Sequence, residues 1–294
     1  MIKKFLRKIY FKFFAPIYVD TSVIKGMPKT QKFNSRFFTS SLVILELLSN
    51  YLRDGSEKGY QILRSRFLLI KKNKLRIKWL LTEEIIKIYF PVINEKQIRR
   101  GNLEEIYQEV LDCESYLEFN NLVKTKYAKD KQEIIDYDDF MGKSFSKTDT
   151  IKKLHAIFDE ASKDDYILSF YYPENSEKPK NGKRFLEDLT GYNFERGIIF
   201  IMYVFIHNRI NSKRIPPSEL FATYNGEIEL FFKSMTKHLF QKIAKKESFP
   251  KNDLIDLFHL LYVSPGCLIY SKEKIIKKWV IEFQPESLYN GDEA

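Results

Sequence analysis

A chain of 294 residues with 44% hydrophobic content is long enough to bury a core, which excludes a largely disordered polymer and leaves one large domain or two small ones. Lys and Arg outnumber Asp and Glu by 49 to 39, a formal charge of +10 that favours a polyanionic partner, although a Lys- and Ile-rich composition also follows from an AT-rich genome. The two cysteines, Cys113 and Cys267, have no paired spacing, so neither a disulfide framework nor a zinc knuckle is encoded, as expected for a reducing, cytoplasmic setting.

The opening stretch MIKKFLRKIYFKFFAPIYVD carries Lys and Arg through every apolar run, so no signal-peptide core forms. Ile17 to Asp20 (IYVD) reads as a short buried parallel strand, with Thr21 and Ser22 beginning a turn. Arg36 to Thr39 reads as a second strand, and Ser40 or Ser41 can cap the helix that carries LVILELLSNYL. A helix over Glu57 to Ile70, a strand over Leu75 to Leu80 and a helix entered at Thr82-Glu83-Glu84 follow, and this alternation predicts an α/β layered fold.

From about residue 94 to 248 the text turns into long, charged, mostly helical segments, broken by a polar loop at 173–184 and a Pro-pair loop at 211–219. The longest apolar stretch, 197–207, is about half of a bilayer span, so a soluble protein without a membrane partner is expected. The closing region reads as a helix, NDLIDLFHLLY, then the turn VSPG, then a strand, CLIY, running into SKEK.

Several carboxylates sit where a structural role does not account for them. Glu46 is the one charged residue of LVILELL, in a helix apolar on every side; such a carboxylate must snorkel to an opening or be held by hydrogen bonds or a cation. Asp253, Asp256 and His259 fall on an adjoining face of the late helix at steps of about 100° per residue. Asp20 ends a parallel strand, where ligands of open α/β sheets gather. Glu273 follows the last strand. Each has a bland reading as a cap, a turn residue or a solvated charge, but a hard divalent cation needs several oxygens converging from separate elements, and four such signals together point that way.

In order, these segments resemble the motifs of the PIN-domain nuclease family. IYVDTSVI resembles its first strand, FFTSSLVILELL its acidic second motif, NDLIDLFHLLY a late helix of longer bacterial members, and SKEK its closing Thr-x-Asp, with Ser271 for Thr and Glu273 for Asp. The resemblance covers about 15–90 and 248–280. It implies a single PIN-like domain over 1–294, a three-layer α/β fold with a central parallel sheet and a large, mostly helical insertion at about 94–248.

The same resemblance implies that Asp20, Glu46 and Asp253 hold Mg²⁺ or Mn²⁺, with Asp256 or Glu273 completing the cluster directly or through water. The activity implied is phosphodiester hydrolysis, most simply an endoribonuclease on single-stranded RNA leaving 5′-phosphate and 3′-hydroxyl ends. Ser22 and Ser271 are candidates for orienting water or phosphate, and Lys25 and Lys272, with Lys274, for substrate positioning. His155, His207 and His238 show no metal-ligand spacing, and His259 is expected to make a structural hydrogen bond near the site. Two other readings stand beside this one: a catalytically degenerate PIN scaffold that binds nucleic acid or protein, and a nuclease of DNA, flap-directed or serving defence. Protein partners and homo-oligomers are not legible.

Overall fold

The computed structural model describes residues 9–28, 30–91, 101–143, 156–172, 177–191, 194–207, 221, 224–245, 247, 250 and 252–290. Its centre is a sheet of β1 (Ile17–Val19), β2 (Phe37–Ser40), β3 (Arg76–Lys78) and β4 (Leu268–Tyr270), all parallel, in the order β3-β2-β1-β4. Ile17 lies opposite both Phe37 and Leu268. Every residue of β1 and β2 is buried, the pattern of strands covered on both faces, which explains why neither segment alternates apolar with polar. The fold is therefore α/β with a parallel sheet, and β2 is shifted one residue from the expected Arg36 to Thr39.

The chain steps from β1 to β2 to β3 in one direction and adds β4 on the other side of β1. The reversal makes a crevice beyond the carboxyl ends of β1 and β4, the place where open α/β sheets receive ligands.

Helices leave these strand ends at once. Asp20 caps α1 (Thr21–Lys25), so Thr21 and Ser22 open a helix rather than the expected turn. Ser40 caps α2 (Ser41–Asp54), its Oγ accepting from the Val43 amide at 3.4 Å, and α2 stops at Gly55, whose φ of 61° is left-handed backbone that glycine adopts without Cβ strain. Ser56 caps α3 (Glu57–Lys72) by accepting from Gly59 N. After β3 comes α4 (Thr82–Tyr89), where the Glu84 carboxylate accepts from Leu81 N at 2.8 Å.

The mostly helical stretch opens with two helices, α5 (Gly101–Asp112) and α6 (Tyr116–Lys124), because Ser115 turns its side chain to cap the second. Then follow α7 (Ala128–Lys143), α8 (Asp165–Tyr171), α9 (Gly182–Gly191), α10 (Phe194–His207) and α11 (Glu229–Lys245). The late motif is α12 (Asp253–Phe258), tightening into a 3₁₀ turn over His259–Tyr262. After β4, α13 (Lys274–Phe283) turns Ile276, Trp279 and Val280 inward. Residues 94–100 and 150–155, with His155, residues 173–176, the Pro-pair loop 211–219 and Ser248 lie outside the described residues.

The helical middle is not set apart from the sheet: α7 packs against both α2 and α12, and α11 against α12 and α13. Among the described residues no helix is long and apolar enough to cross a membrane.

Phe38 lies fully buried on β2 with the Tyr18 ring 5.5 Å away, so Phe38→Ala is expected to cost about 3–5 kcal/mol of stability in urea unfolding. Ile281, 56% exposed on α13, should tolerate Ala within about 0.5 kcal/mol. Equal losses at the two positions would contradict the placement of the core.

Candidate functional site

A cleft of ≈ 160 Å³ opens at the carboxyl edge of the sheet. Asp20 from the end of β1, Glu46 from α2, Asp256 from α12 and Glu273 from the start of α13 all line it, although 253 positions separate the first from the last. The parallel register requires this convergence. Asp20, Ser40 and Ser271 each follow or end a strand running the same way, so their helices all start from one edge.

Asp20 is fully buried. Its Oδ1 accepts from Val23 N at 3.0 Å and from Ser22 Oγ at 2.7 Å, while its Oδ2 has no hydrogen-bond partner. An acceptor oxygen of a buried carboxylate left in this way is costly unless something positive meets it. Ser22 Oγ also accepts from Lys272 N at 2.9 Å, tying the start of α1 to the turn after β4.

Glu46 is half-buried on α2, its side chain 14% exposed, and is held by Thr21 Oγ1 and by His259 Nε2 at 2.8 Å. His259 Nδ1 stands 2.6 Å from Tyr18 Oη, and Tyr18 Oη 2.9 Å from Ser40 Oγ. Tyr18 lies on β1 and Asp20 follows its last residue, so the two side chains leave the extended backbone on one face, and one short segment serves both the relay and the cleft. Burial works against the imidazolium, but the Glu46 carboxylate holds His259 above its ordinary value. Burial likewise opposes the Glu46 anion, and His259 and Thr21 hold that carboxyl below its usual range. Each partner thus favours the charged form of the other, and the chain of hydrogen bonds runs on from His259 Nδ1 through Tyr18 Oη to Ser40 Oγ.

Asp256 has no such support. Burial pushes its carboxyl up to about 7; His259 opposes this, and the nearby charges of Glu273, Glu46 and Asp20 add to the rise. Three-residue steps rotate a helix by about 300°, so Asp253, Asp256 and His259 do not point alike. The cleft takes Asp256 and His259. Asp253 turns instead to α11, its Oδ2 lying 2.8 Å from His238 Nε2, and does not line the cleft.

Ser271 and Lys272 also stay outside it. Ser271 Oγ accepts from Glu273 N at 3.0 Å, and Lys272 Nζ donates to Gly26 O at 3.3 Å, so both shape the turn that presents Glu273. Ser22 and Lys25 do line the cleft, as the sequence suggested.

Among the cleft residues not foreseen, Asn50, Arg53 and Asp138 carry polar or charged groups that shape its wall. Asn50 and Arg53 follow Glu46 by four and seven positions, one polar stripe on an otherwise apolar helix, and that spacing was a legible signal. Asp138 comes from α7; it pairs with Arg53 Nη1 at 2.5 Å while Asp139 meets Nη2 at 2.7 Å. Nothing in the local sequence of α7 marks Asp138, because its place depends on α7 packing against α2.

The carboxylates suit a hard divalent cation in their chemistry: Asp20, Glu46, Asp256 and Glu273 bring oxygen donors, one of them buried without a partner, and the imidazole in the cleft, His259, is engaged with Glu46. The geometry is looser, since among the described residues no three His, Cys, Asp or Glu side chains form a group that could hold a metal ion. His259 occupies one oxygen of Glu46, and Asp256 is neutralised by a proton over part of the pH range.

Because the folded state raises the Asp256 carboxyl from 3.8 to about 7, its contribution to stability is fully present below 3.8 and lost as pH rises through about 7. Asp256→Asn stays neutral throughout. In chelator, its melting temperature should exceed that of the parent at about pH 8 and match it at about pH 4, read by differential scanning calorimetry, by the same linkage. A displacement independent of pH would mean that Asp256 is an ordinary exposed carboxylate.

Comparison of the chain with protein-family models, with curated proteins and with solved structures gives no match, so its function has to be argued from the cleft itself.

Proposed function

We propose that the protein is a divalent-metal-dependent nuclease of PIN type that hydrolyses phosphodiester bonds, with single-stranded RNA as its first-choice substrate. The observation that carries this reading is the gathering of Asp20, Glu46, Asp256 and Glu273 from four separate elements into one cleft at the switch point of a parallel sheet. Mg²⁺ or Mn²⁺ bound there would supply charge neutralisation of a phosphoryl oxygen and a lowered pKa for attacking water.

The chain's own residues have distinct parts in this reading. Asp20, with its free Oδ2, would be the central ligand, and Glu46, held by His259 and Thr21, would be the second. Asp256 would join them in its ionised form, and Glu273, at the start of α13, would complete the set directly or through water. Asp253 is left out of the ligand set on account of its pairing with His238. Lys25 is exposed at the rim, where it can meet a backbone phosphate, and the net charge of +10 favours a polyanion in the same sense.

One observation favours a second reading, a scaffold of this type that has lost its chemistry: His259 already satisfies Glu46 as a cation would. Both readings are decided by the same measurements. Asp20→Asn keeps the α1 cap, since Asn serves at that position as well as Asp, and so should melt no lower than the parent. Its single-turnover cleavage of single-stranded RNA in Mn²⁺ should fall by on the order of several kcal/mol of transition-state stabilisation, whereas Glu273→Gln should lose less. Saturating Mn²⁺ should raise the melting temperature of the parent and not of Asp20→Asn. Absence of both cleavage and a Mn²⁺ shift in the parent would favour the inactive scaffold, and cleavage of single-stranded or flap DNA in place of RNA would redirect the substrate.

A further inference from the structure

Away from the carboxylates, a groove of ≈ 580 Å³ lies between α3 and the turn joining α5 to α6, and it shares no lining residue with the cleft. One wall is a single face of α3, bearing Gln61, Arg64, Leu68 and Lys72 at steps of three and four. Tyr116, at the start of α6, lines the opposite side.

Arg64 is the unusual member. Its Nε is shut from solvent without a hydrogen-bond partner, and among the described residues its guanidinium forms no ion pair, even though Glu57 and Glu114 line the same groove. A guanidinium is always charged and presents its donors as a fixed planar fork suited to phosphate. Nε is closed off from the groove, but the two terminal Nη groups are not shut from solvent and have no partner among the described residues, so they are the donors an anion in the groove can meet.

The rest of the lining says more than anion. The groove's volume is that of a small-molecule site and far exceeds a bare phosphate. Tyr116 donates its hydroxyl to Gly55 O at 2.8 Å, which holds the ring in place. Leu68, 40% exposed, adds apolar surface, and the Gln61 amide offers both a donor and an acceptor for a base edge. Lys72 is eight residues beyond Arg64, about 12 Å along the helix axis, so it serves the approach of an anion rather than the same phosphate.

We infer that this groove binds a nucleotide, with its phosphate on Arg64 and its base against Tyr116 and Leu68, either as a free mononucleotide or as the phosphorylated end of a strand. The inference is independent of the nuclease reading, since no carboxylate ligand takes part.

Isothermal titration of the full chain with adenosine 5′-monophosphate, with inorganic phosphate and with a short 5′-phosphorylated single-stranded oligonucleotide tests it. Binding of the mononucleotide at one per chain, with inorganic phosphate at least about tenfold weaker, is expected for a base contact worth a kilocalorie or more. Arg64→Gln should weaken nucleotide binding at least about tenfold, Lys72→Gln only about twofold, and Asp20→Asn not at all. If the oligonucleotide alone binds, and does so through Arg64, the source is a strand end and the groove still recognises a nucleotide. Arg64 also stands near the carbonyl end of α5, where Tyr60 donates to Cys113 O at 3.1 Å, so Arg64→Gln can cost stability. Arg64→Lys keeps the charge there while losing the fork, and should melt like the parent yet bind several-fold more weakly. Binding unchanged in Arg64→Lys and Arg64→Gln, phosphate binding as tightly as the nucleotide, or no binding of either nucleotide form would overturn the proposal.

Discussion

The ion pair between Glu46 and His259 is the constraint on which the cleft depends. A carboxylate on a helix buried along nearly its whole length has to be compensated, and His259, brought from 213 positions away, does so from the 3₁₀ turn after α12. Because the imidazole is used at both nitrogens, its orientation is locked through Tyr18 to Ser40, the residue that also caps α2. Strand, early helix and late helix are thereby tied together at the sheet's carboxyl edge. The same pair sets the charge state of the neighbours: with Glu46 ionised, Asp256 faces anions on several sides and binds its proton more tightly.

This arrangement separates residues that shape the cleft from residues that face it. Ser22, Ser271 and Lys272 link the β1–α1 and β4–α13 junctions through backbone and side-chain hydrogen bonds, so Asp20 and Glu273 are presented from turns that hold each other. Arg53 and Asp138 close the other wall, and by that contact the helical middle becomes part of the site rather than an appendage. A cleft of this size has room for a few water molecules or a hydrated ion, so a polymeric substrate would have to lie across its mouth.

The sequence was most readable where burial and charge disagreed locally. Asp20 at the end of a β-branched and aromatic strand, and Glu46 alone among Leu, Ile and Val, are conflicts visible without any tertiary contact, and both residues stand in the cleft. Glu273 and Asp256 were legible as later members of an ordered series. Asp253 was not separable from Asp256 by spacing, since a 60° difference in direction around a short helix matters only once α11 and His238 are in place to receive one of them. The break in the helical stretch at Ser115 does carry a local mark, Glu118 three residues on: Ser115 Oγ accepts from Glu118 N while the Glu118 carboxylate accepts from Glu114 N.

By itself, then, the sequence determined the α/β alternation, the strand ends and the carboxylates that could not be paid for locally, because those follow from hydrogen-bond geometry, side-chain period and the cost of burying charge. Tertiary structure alone decided which partners those carboxylates have. Parallel pairing of β4 beside β1, after 248 intervening residues, brings Glu273 to Asp20; packing of α7 on α2 gives Arg53 its two aspartates; and the 3₁₀ turn aims His259 at Glu46. Such contacts are set by the register and crossing of elements far apart in the chain, and no local pattern of residues records them.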